Sequence, residues 1–206
     1  PLSDYVSVPC LCAQPAVTIK LNTATGTPEL SWQKVSGAVK YEILRASEDS
    51  EGYFDVVATQ TGTTFKETTA PADQLCRYLV IAHASSSLYR SVIPELQDRP
   101  SIQTGIGQPV LNTASDAATG LPVLTWNAVA GAAEYEISRA AKSSGTYEVI
   151  CSTDGLRFMD EEAVGGKTYY YKLTAISEKG TRSATSAAKA AKSICTAPVA
   201  DIASDG

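Results

Sequence analysis

The chain has 206 residues, 44% of them hydrophobic, which is enough apolar material for one large core or for two domains of about 100 residues each. Its formal net charge of −5 argues against nucleic acid or an anionic membrane as the main partner, because no basic stripe is present to neutralise phosphates. No run of about 18 apolar residues predicts a membrane span and no signal segment is evident; since the chain starts at Pro1 without Met, we expect a processed or excised fragment.

Residues 14–100, which we assign to a first domain, contain seven short runs in which apolar and polar positions alternate. The runs begin near residues 16, 28, 39, 53, 63, 75 and 88. Leu30 and Trp32, and likewise Tyr41 and Ile43, occupy every second position of their runs. Alternation with a period of two over short segments is typical of half-buried strands, and the spacing of the runs predicts an all-β sandwich.

Residues 109–196 repeat this pattern almost position by position. The second copy has Trp126 where the first has Trp32, and Tyr135-Glu136-Ile137 where the first has Tyr41-Glu42-Ile43. Self-similarity at a fixed spacing indicates a duplicated module. We therefore predict a second domain with the fold of the first.

Three segments lie outside the two predicted domains. We expect residues 1–13 to be the closing strand of a preceding module or a tail. Residues 197–206 are expected to start a following module or to be a tail, since Cys195-Thr196-Ala197-Pro198 resembles the opening Cys12-Ala13-Gln14-Pro15. Residues 101–108 contain two glycines and no alternating pattern of their own, which predicts a linker.

The stretch SATSAAKAAKS at residues 183–193 gives conflicting signals. Its Ala and Lys residues favour a helix by intrinsic propensity. The repeat instead aligns it with residues 88–93, which resemble a final edge strand. Because propensity is a weak prior, we predict a strand.

Several of these residues together resemble a fibronectin type III domain. They are a Pro near the first strand, a Trp in the second, Tyr-x-Ile in the third and Tyr169-x-Tyr171-x-Leu173-x-Ala175 in the sixth. The amino-acid sequence of both copies is similar to that of repeats in large surface proteins of gut-type Gram-positive bacteria. The resemblance covers about residues 14–196 and implies two tandem seven-stranded immunoglobulin-like sandwiches. The resemblance says little about function, because proteins built from such sandwiches act as spacers, adhesins and receptors alike.

The resemblance also implies roles for individual residues. Trp32 and Trp126 would lie in the core between the sheets. Tyr169 would be the tyrosine corner, with its hydroxyl bonded to backbone in the turn at residues 164–167. The first domain has Cys76 at that position, so its corner hydrogen bond cannot form, and we expect the first domain to be somewhat less stable.

Few residues suggest chemistry. His83 is the single histidine, which excludes a His-dependent triad or a multi-His metal site within the chain, and we expect it to be a half-buried strand or loop residue. Cys76 and Cys151 fall at inward positions, so buried thiols that act as small hydrophobes are favoured over a nucleophile.

Two further patterns resemble metal sites only weakly. Cys10-x-Cys12 lacks the second cysteine pair of a zinc site, and for it we favour free thiols or pairing with a cysteine outside the fragment. The acidic runs at residues 48–51 and 160–162 lack the alternation of a calcium loop, so we expect them to be solvated loops. We nominate no catalytic, cofactor-binding or metal-binding residue, and no cofactor.

The leading functional prediction is a non-catalytic structural or spacer module of a multi-domain extracellular or cell-surface array. Its partners would be neighbouring domains of the same longer chain, and possible partners include a host or cell-surface protein or glycan; nucleic acid and a membrane span are not expected. One alternative is an adhesin module that binds a protein or glycan through loops at Ala38-Val39, Gly62-Thr63 and Ser85–Ser87. Another is an accessory domain of a polysaccharide-degrading enzyme. The loops are short, small and poor in aromatic residues, which favours the spacer.

Overall fold

The computed structural model describes residues 12–85, 90–95 and 98–194. The chain divides into two compact units, Pro1–Gly105 and Ile106–Gly206. Each unit contains two antiparallel sheets, so the all-β prediction is confirmed. Within the described residues, no helix is long and apolar enough to cross a membrane.

The described residues of the first unit include seven strands and a 3-10 turn after the third of them. The strands are β1 Val17–Asn22, β2 Thr27–Trp32, β3 Ala38–Ala46, β4 Asp55–Gln60, β5 Thr64–Lys66, β6 Leu75–Ala84 and β7 Ser101–Gln103. They form a three-stranded sheet in the order β1-β2-β5 and a four-stranded sheet in the order β4-β3-β6-β7. The 3-10 turn, Glu48–Ser50, lies between β3 and β4.

The second unit repeats this architecture. Its strands are β8 Asn112–Ser115, β9 Pro122–Thr125, β10 Glu134–Ala140, β11 Glu148–Thr153, β12 Arg157–Met159, β13 Thr168–Ile176 and β14 Lys189–Lys192. The sheet orders are β12-β9-β8 and β11-β10-β13-β14. Both units are thus seven-stranded sandwiches with the same topology, as the repeat predicted.

The alternating patterns place one side of each strand in the core. In β6, Cys76, Tyr78, Val80 and Ala82 are completely buried in the core cluster. Of the residues between them, Arg77 is partly exposed, and Leu79 and Ile81 are buried outside this cluster. A strand points successive side chains to opposite faces, so the period of two in the sequence is the direct cause of this burial.

Each core is centred on a tryptophan and a tyrosine. The rings of Trp32 and Tyr41 have centroids 5.3 Å apart, and those of Trp126 and Tyr135 lie 5.5 Å apart. In both domains the tyrosine hydroxyl accepts a backbone N–H from the loop between the two rings, at 2.8 Å. The two tryptophans are 5% and 4% exposed, which confirms their expected place in the core.

The last strand of the first domain differs from the prediction. The alternating pattern predicts this strand at residues 88–93, and the composition predicts a linker at residues 101–108. In the structure, residues 90–95 form no strand beyond an isolated bridge between His83 and Arg90. The edge strand is β7, which lies inside the predicted linker and pairs with the start of β6.

An insertion explains part of this error. Ser91 and Ser183 donate their N–H groups to equivalent positions of β6 and β13. Strand pairing then resumes at Pro100 in the first domain and at Lys189 in the second. The first of these stretches is three residues longer, so an alignment without a gap places the strand three residues too early, which is only part of the distance between residues 88–93 and β7. A three-residue strand also carries too little alternation to be recognised.

The ambiguous segment of the second domain is a strand at Lys189–Lys192, as the repeat predicted. Upstream of it, the N–H groups of Ser183 and Ser186 donate to backbone carbonyls of β13. The hydroxyls of the same two serines accept N–H groups of β13, at 3.0 and 2.9 Å. A helix here would leave these backbone groups of β13 without hydrogen-bond partners. The free-energy cost of those unpaired groups exceeds the stabilisation that the helix propensity of alanine contributes.

The boundaries of the first domain are wider than predicted. Cys12 is 6% exposed and belongs to the hydrophobic core of this domain, so the domain begins before residue 14. At the other end, the N–H of Gly105 donates to the carbonyl of Gly26 at 2.9 Å. Residues 101–105 therefore belong to the first domain rather than to a linker.

The expectations for the two chain ends lie outside the described residues. They concern residues 1–11 and 195–206, and with them Cys10 and Cys195. A preceding closing strand and a following module remain predictions.

Gly120 occupies a turn that only glycine fits. Its φ is +72° and a Cβ there would collide with the carbonyl oxygen of Ile194, whose N–H donates to the Gly120 carbonyl at 2.7 Å. We expect Gly120→Ala to destabilise the second domain by more than the roughly 1–2 kcal/mol of left-handed backbone alone. Gly180→Ala is the matched control, because Gly180 has a φ of +82° in open space. Urea unfolding compares them, and equal losses would contradict the collision.

Candidate functional site

A buried cluster of charged and phenolic side chains lies in the second domain and consists of Arg139, Asp160 and Tyr171. Asp160 is 2% exposed. The Nη1 of Arg139 donates to both carboxylate oxygens at 2.8 Å, and the Tyr171 hydroxyl donates to Oδ2 at 2.6 Å. These bonds offset the cost of burying the carboxylate. The cluster thereby ties β10 and β13 to the turn after β12.

The cluster also shifts the titration of two members. The hydrogen bond to Asp160 raises the pKa of Arg139 against the opposing effect of burial. Burial, and then the hydrogen bond to Asp160, raise the pKa of Tyr171. Arg139 and Tyr171 therefore keep their protons at neutral pH, which suits a structural role rather than acid–base chemistry.

The first domain has an equivalent but less complete cluster of Arg45, Glu67 and Tyr78. Arg45 Nη1 lies 3.3 Å from Glu67 Oε2, and Oε1 accepts the N–H and the hydroxyl of Thr69 at 2.9 and 2.8 Å. The buried hydroxyl of Tyr78 has no hydrogen-bond partner among the described residues. Burial, and then the charge of Glu67, raise the pKa of Tyr78.

The structure corrects the prediction that residues 160–162 form a solvated loop. Asp160 is buried in the cluster, and only Glu161 and Glu162 are exposed. The other acidic run, at residues 48–51, is largely exposed as expected. In the part of the chain that the structure describes, no three His, Cys, Asp or Glu side chains are grouped closely enough to hold a metal ion.

The tyrosine corner lies beside the cluster of the second domain. The Tyr169 hydroxyl accepts the N–H of Val164 at 3.2 Å, so the predicted bond to upstream backbone is confirmed. The guanidinium of Arg139 lies over the Tyr169 ring, 5.2 Å from its centroid. Cys76 replaces this ring in the first domain, which therefore lacks both the corner bond and the cover over its arginine.

Tyr169→Phe is expected to cost about 0.5–1.5 kcal/mol of unfolding free energy, the usual contribution of one hydrogen bond. The value should fall near the lower end, because Val164 is exposed and water can replace the hydroxyl. Urea unfolding of the whole chain measures the change. The control is Tyr53→Phe, since Tyr53 is 75% exposed; an identical result for both variants would remove the corner assignment.

The described cysteines differ in burial. Cys76 is completely buried, as predicted, and burial raises the pKa of its thiol. Cys12 is also buried, and both are free thiols. Cys151 is only half-buried and borders an open groove of about 360 Å³ together with Phe158 and Met159. Its predicted inward placement is thus only partly right, because β11 is an edge strand that leaves the side of the sandwich open.

A thiol reagent should therefore label Cys151 in the native protein and spare Cys12 and Cys76 until the first domain unfolds. Burial raises the pKa of the Cys76 thiol in the folded state, so the folded protein binds the thiol proton more tightly than the unfolded chain does. The resulting contribution of Cys76 to folding stability is complete below the unfolded thiol pKa of about 8.5 and is lost as the pH rises above that value. Peptide mass spectrometry after timed labelling measures the three rates. Rapid native labelling of Cys76 would contradict its placement.

His83 is half-buried at the end of β6, as predicted. Its Nε2 lies 3.3 Å from Glu42 Oε2 on the neighbouring strand. The residue has no second histidine to act with, and we assign it no chemical role.

The loops considered for binding are only partly loops. Ala38-Val39 belongs to the start of β3. Gly62-Thr63 does connect β4 and β5, and the Thr63 carbonyl accepts the N–H of Trp32 at 3.0 Å. Ser86 and Ser87 lie outside the described residues.

Comparison with known sequences gives one short match. No protein-family model matches the chain. Over 80 residues, 38% of the chain, it is 32% identical to an amylopullulanase from Thermoanaerobacter thermohydrosulfuricus. This match spans about 5% of that protein's length.

Comparison with solved structures covers nearly the whole chain. A segment of two fibronectin type III domains from chicken tenascin superposes with a TM-score of 0.56 at 17% identity, covering 87% of this chain and 99% of the segment. The chicken interferon gamma receptor alpha chain gives a TM-score of 0.61 at 11% identity, covering 88% of this chain and 98% of the receptor chain. Likeness at these identities concerns the fold. Together with the seven-stranded topology of both units, it shows that the chain folds as two tandem fibronectin type III domains.

Proposed function

We propose that the chain is a non-catalytic structural module that spaces or presents other domains of a longer extracellular or cell-surface protein. The observation that carries this proposal is the use of the reactive side chains inside the cores. In both copies a buried carboxylate and a buried tyrosine lie beside a partly exposed arginine at equivalent positions, where they join strands to a turn. Groups committed in this way are not available to a substrate.

The remaining candidates for catalysis support the same reading. A nucleophile needs a base within hydrogen-bond reach. Cys12 and Cys76 are buried among apolar side chains, and Cys151 donates to the carbonyl of Ser152 at 3.4 Å. The only histidine contacts Glu42 rather than a thiol.

The loops favour a spacer over an adhesin. The connections that follow β2 and β9 are residues 33–37 and 126–133, and their one aromatic residue, Trp126, is buried in the core. Binding hot spots are enriched in Trp, Tyr and Arg, and both tryptophans of this chain are in the cores. Host or cell-surface proteins and glycans remain proposed partners of the longer chain, beside its own neighbouring domains.

A second candidate function is that of an accessory domain in a polysaccharide-degrading enzyme. The 80-residue similarity to an amylopullulanase favours it over other enzyme contexts. In this case too the chain itself is non-catalytic, and it differs from the spacer in the domains that flank it.

Two experiments test these proposals. The whole chain is incubated with pullulan and with amylopectin, and we expect no release of reducing sugar above buffer; turnover that one substitution abolishes would overturn the non-catalytic assignment. Antibody against the chain is then applied to intact cells of the source organism. Labelling of intact cells or of the culture medium is expected, and labelling only after lysis would overturn the proposed location.

A further inference from the structure

The outer face of the four-stranded sheet in the second domain carries aromatic and cationic side chains that the proposed function does not use. Tyr170 and Lys172 point outward from β13, since Tyr171 between them is completely buried. Strand pairing places Tyr170 between Ala140 of β10 and Ala190 of β14. Cross-strand partners share a face of the sheet, so the tyrosine stands between two small side chains.

A second tyrosine lies next to this position. The Nζ of Lys172 lies 4.2 Å from the centroid of the Tyr147 ring, and the Tyr147 hydroxyl donates to the carbonyl of Ser143 at 3.0 Å. Burial, and then the neighbouring Tyr170 phenol, raise the pKa of Tyr147. Lys172 thus lies against the Tyr147 ring on the face of the sheet that also carries Tyr170.

The part of this face around Tyr170 is positive, because the outward carboxylates Glu134 and Glu136 lie further along β10, opposite Ile176 and Thr174. Lys192 is exposed on β14 opposite Thr168, which is on the same side of β13 as Tyr170. Within the described ranges, no carboxylate forms an ion pair with Lys172 or Lys192. Glu136, which also faces this side, is already paired with Arg182 at 2.6 Å. We call Tyr147, Tyr170, Lys172 and Lys192 the tyrosine–lysine face.

The first domain has no such face. Arg77 and Leu79 occupy the positions of the outward tyrosine and lysine on β6, and Phe54 replaces Tyr147. The guanidinium of Arg99 covers the Phe54 ring, 4.8 Å from its centroid. Since both copies fold alike, the sandwich itself does not require the tyrosine–lysine face.

We propose that the tyrosine–lysine face binds an acidic polysaccharide. An extended polymer can lie along the outer surface of the sheet, where the Tyr170 ring offers an apolar face to the C–H groups of pyranose rings. Carboxylates of the polymer pair with Lys172 and Lys192, which supplies the charge complementarity that selects an acidic over a neutral chain. This binding goes beyond the spacer role and needs no catalysis.

Affinity electrophoresis of the whole chain through native gels containing polygalacturonate tests the proposal, with amylopectin gels as the neutral comparison. Polygalacturonate should retard the chain, and raising the salt concentration should weaken the retardation because exposed charges are screened. Tyr170→Ala and Lys172→Ala should each weaken binding about tenfold, as expected for loss of one aromatic or charged contact.

The matched control is Tyr53→Ala, which removes an exposed tyrosine from the first domain and should leave the retardation unchanged. Near-UV circular dichroism establishes that each variant remains folded. Absence of retardation by polygalacturonate overturns the proposal. So does equal retardation by amylopectin, or retardation that both Tyr170→Ala and Lys172→Ala leave unchanged in folded protein.

Discussion

Asp160→Asn is expected to destabilise the second domain by about 3–5 kcal/mol, the usual cost of removing one partner from a buried ion pair. The carboxylate accepts two bonds from Arg139 and one from Tyr171. An amide has one acceptor oxygen and no charge, so it leaves the guanidinium without its counter-ion. Arg139 is 21% exposed, which lets water reach it and favours the lower part of this range.

Glu162→Gln is the matched control for this variant. Glu162 also lies near the guanidinium, with Oε2 3.7 Å from Arg139 Nη2, but its side chain is 84% exposed. An exposed ion pair contributes at most about 1 kcal/mol. Urea unfolding of the whole chain gives the loss in free energy, and hydrogen exchange in β10 and β13 assigns it to the second domain. If Asp160→Asn costs no more than Glu162→Gln, the buried cluster does not stabilise the fold.

Trp126→Ala is expected to cost the second domain about 3–5 kcal/mol through the cavity left in its core. The indole is 4% exposed and packs against Tyr135, with ring centroids 5.5 Å apart. Removing the indole would also remove the packing partner of the Tyr135 ring, whose hydroxyl accepts the N–H of Val129 at 2.8 Å. The same unfolding experiment measures the change.

Trp126→Phe separates packing from hydrogen bonding at this position. The indole N–H of Trp126 has no hydrogen-bond partner among the described residues, so phenylalanine removes an unsatisfied donor while it keeps most of the ring. We expect a clearly smaller loss than for alanine. Leu156→Ala controls for truncation at the surface, because Leu156 is 42% exposed. A cost for Trp126→Ala as small as that of Leu156→Ala would contradict the core assignment.

The arginine–carboxylate–tyrosine cluster is more complete in the second domain than in the first. In the second domain both carboxylate oxygens of Asp160 and the hydroxyl of Tyr171 are hydrogen-bonded, and Tyr169 covers the arginine. In the first, Cys76 stands in place of that ring and the hydroxyl of Tyr78 is unpaired among the described residues. A buried polar group without a partner is destabilising, so the structure adds a second reason for the expectation that the first domain is the less stable one.

Part of the fold was predictable because its signal is local. Alternation of apolar residues predicts which side of a strand is buried, as in β6 and β13, since the side-chain period of a strand is two. The repeat extended this signal to Lys189–Lys192, where composition alone favoured a helix. The positions of the two tryptophans and of the corner at Tyr169 followed from the resemblance, because large aromatic residues at these spacings can be buried only in the core or at the corner of a small sandwich.

Other features were not predictable because they depend on contacts between distant segments. Nothing near Ser101 distinguishes a short edge strand from a linker, and only its pairing with Cys76 and its neighbours decides between them. The three-residue insertion before Pro100 shifted the alignment for the same reason. Cys151 was placed too deep, because sequence shows the inward side of a strand but not whether an edge strand is covered.

The duplication, the all-β class and the composition of both cores follow from the amino-acid sequence alone. Which charges are buried and which surface is exposed depends on contacts between strands. Asp160 and Glu162 are both acidic residues of one short segment, but Asp160 is buried against Arg139 whereas the side chain of Glu162 is exposed to solvent. Likewise, Tyr170 and Tyr171 are adjacent in sequence and lie on opposite faces of β13. Hydrophobic periodicity is a property of one segment, whereas the partner of a charge or a ring comes from strands that are distant in the chain.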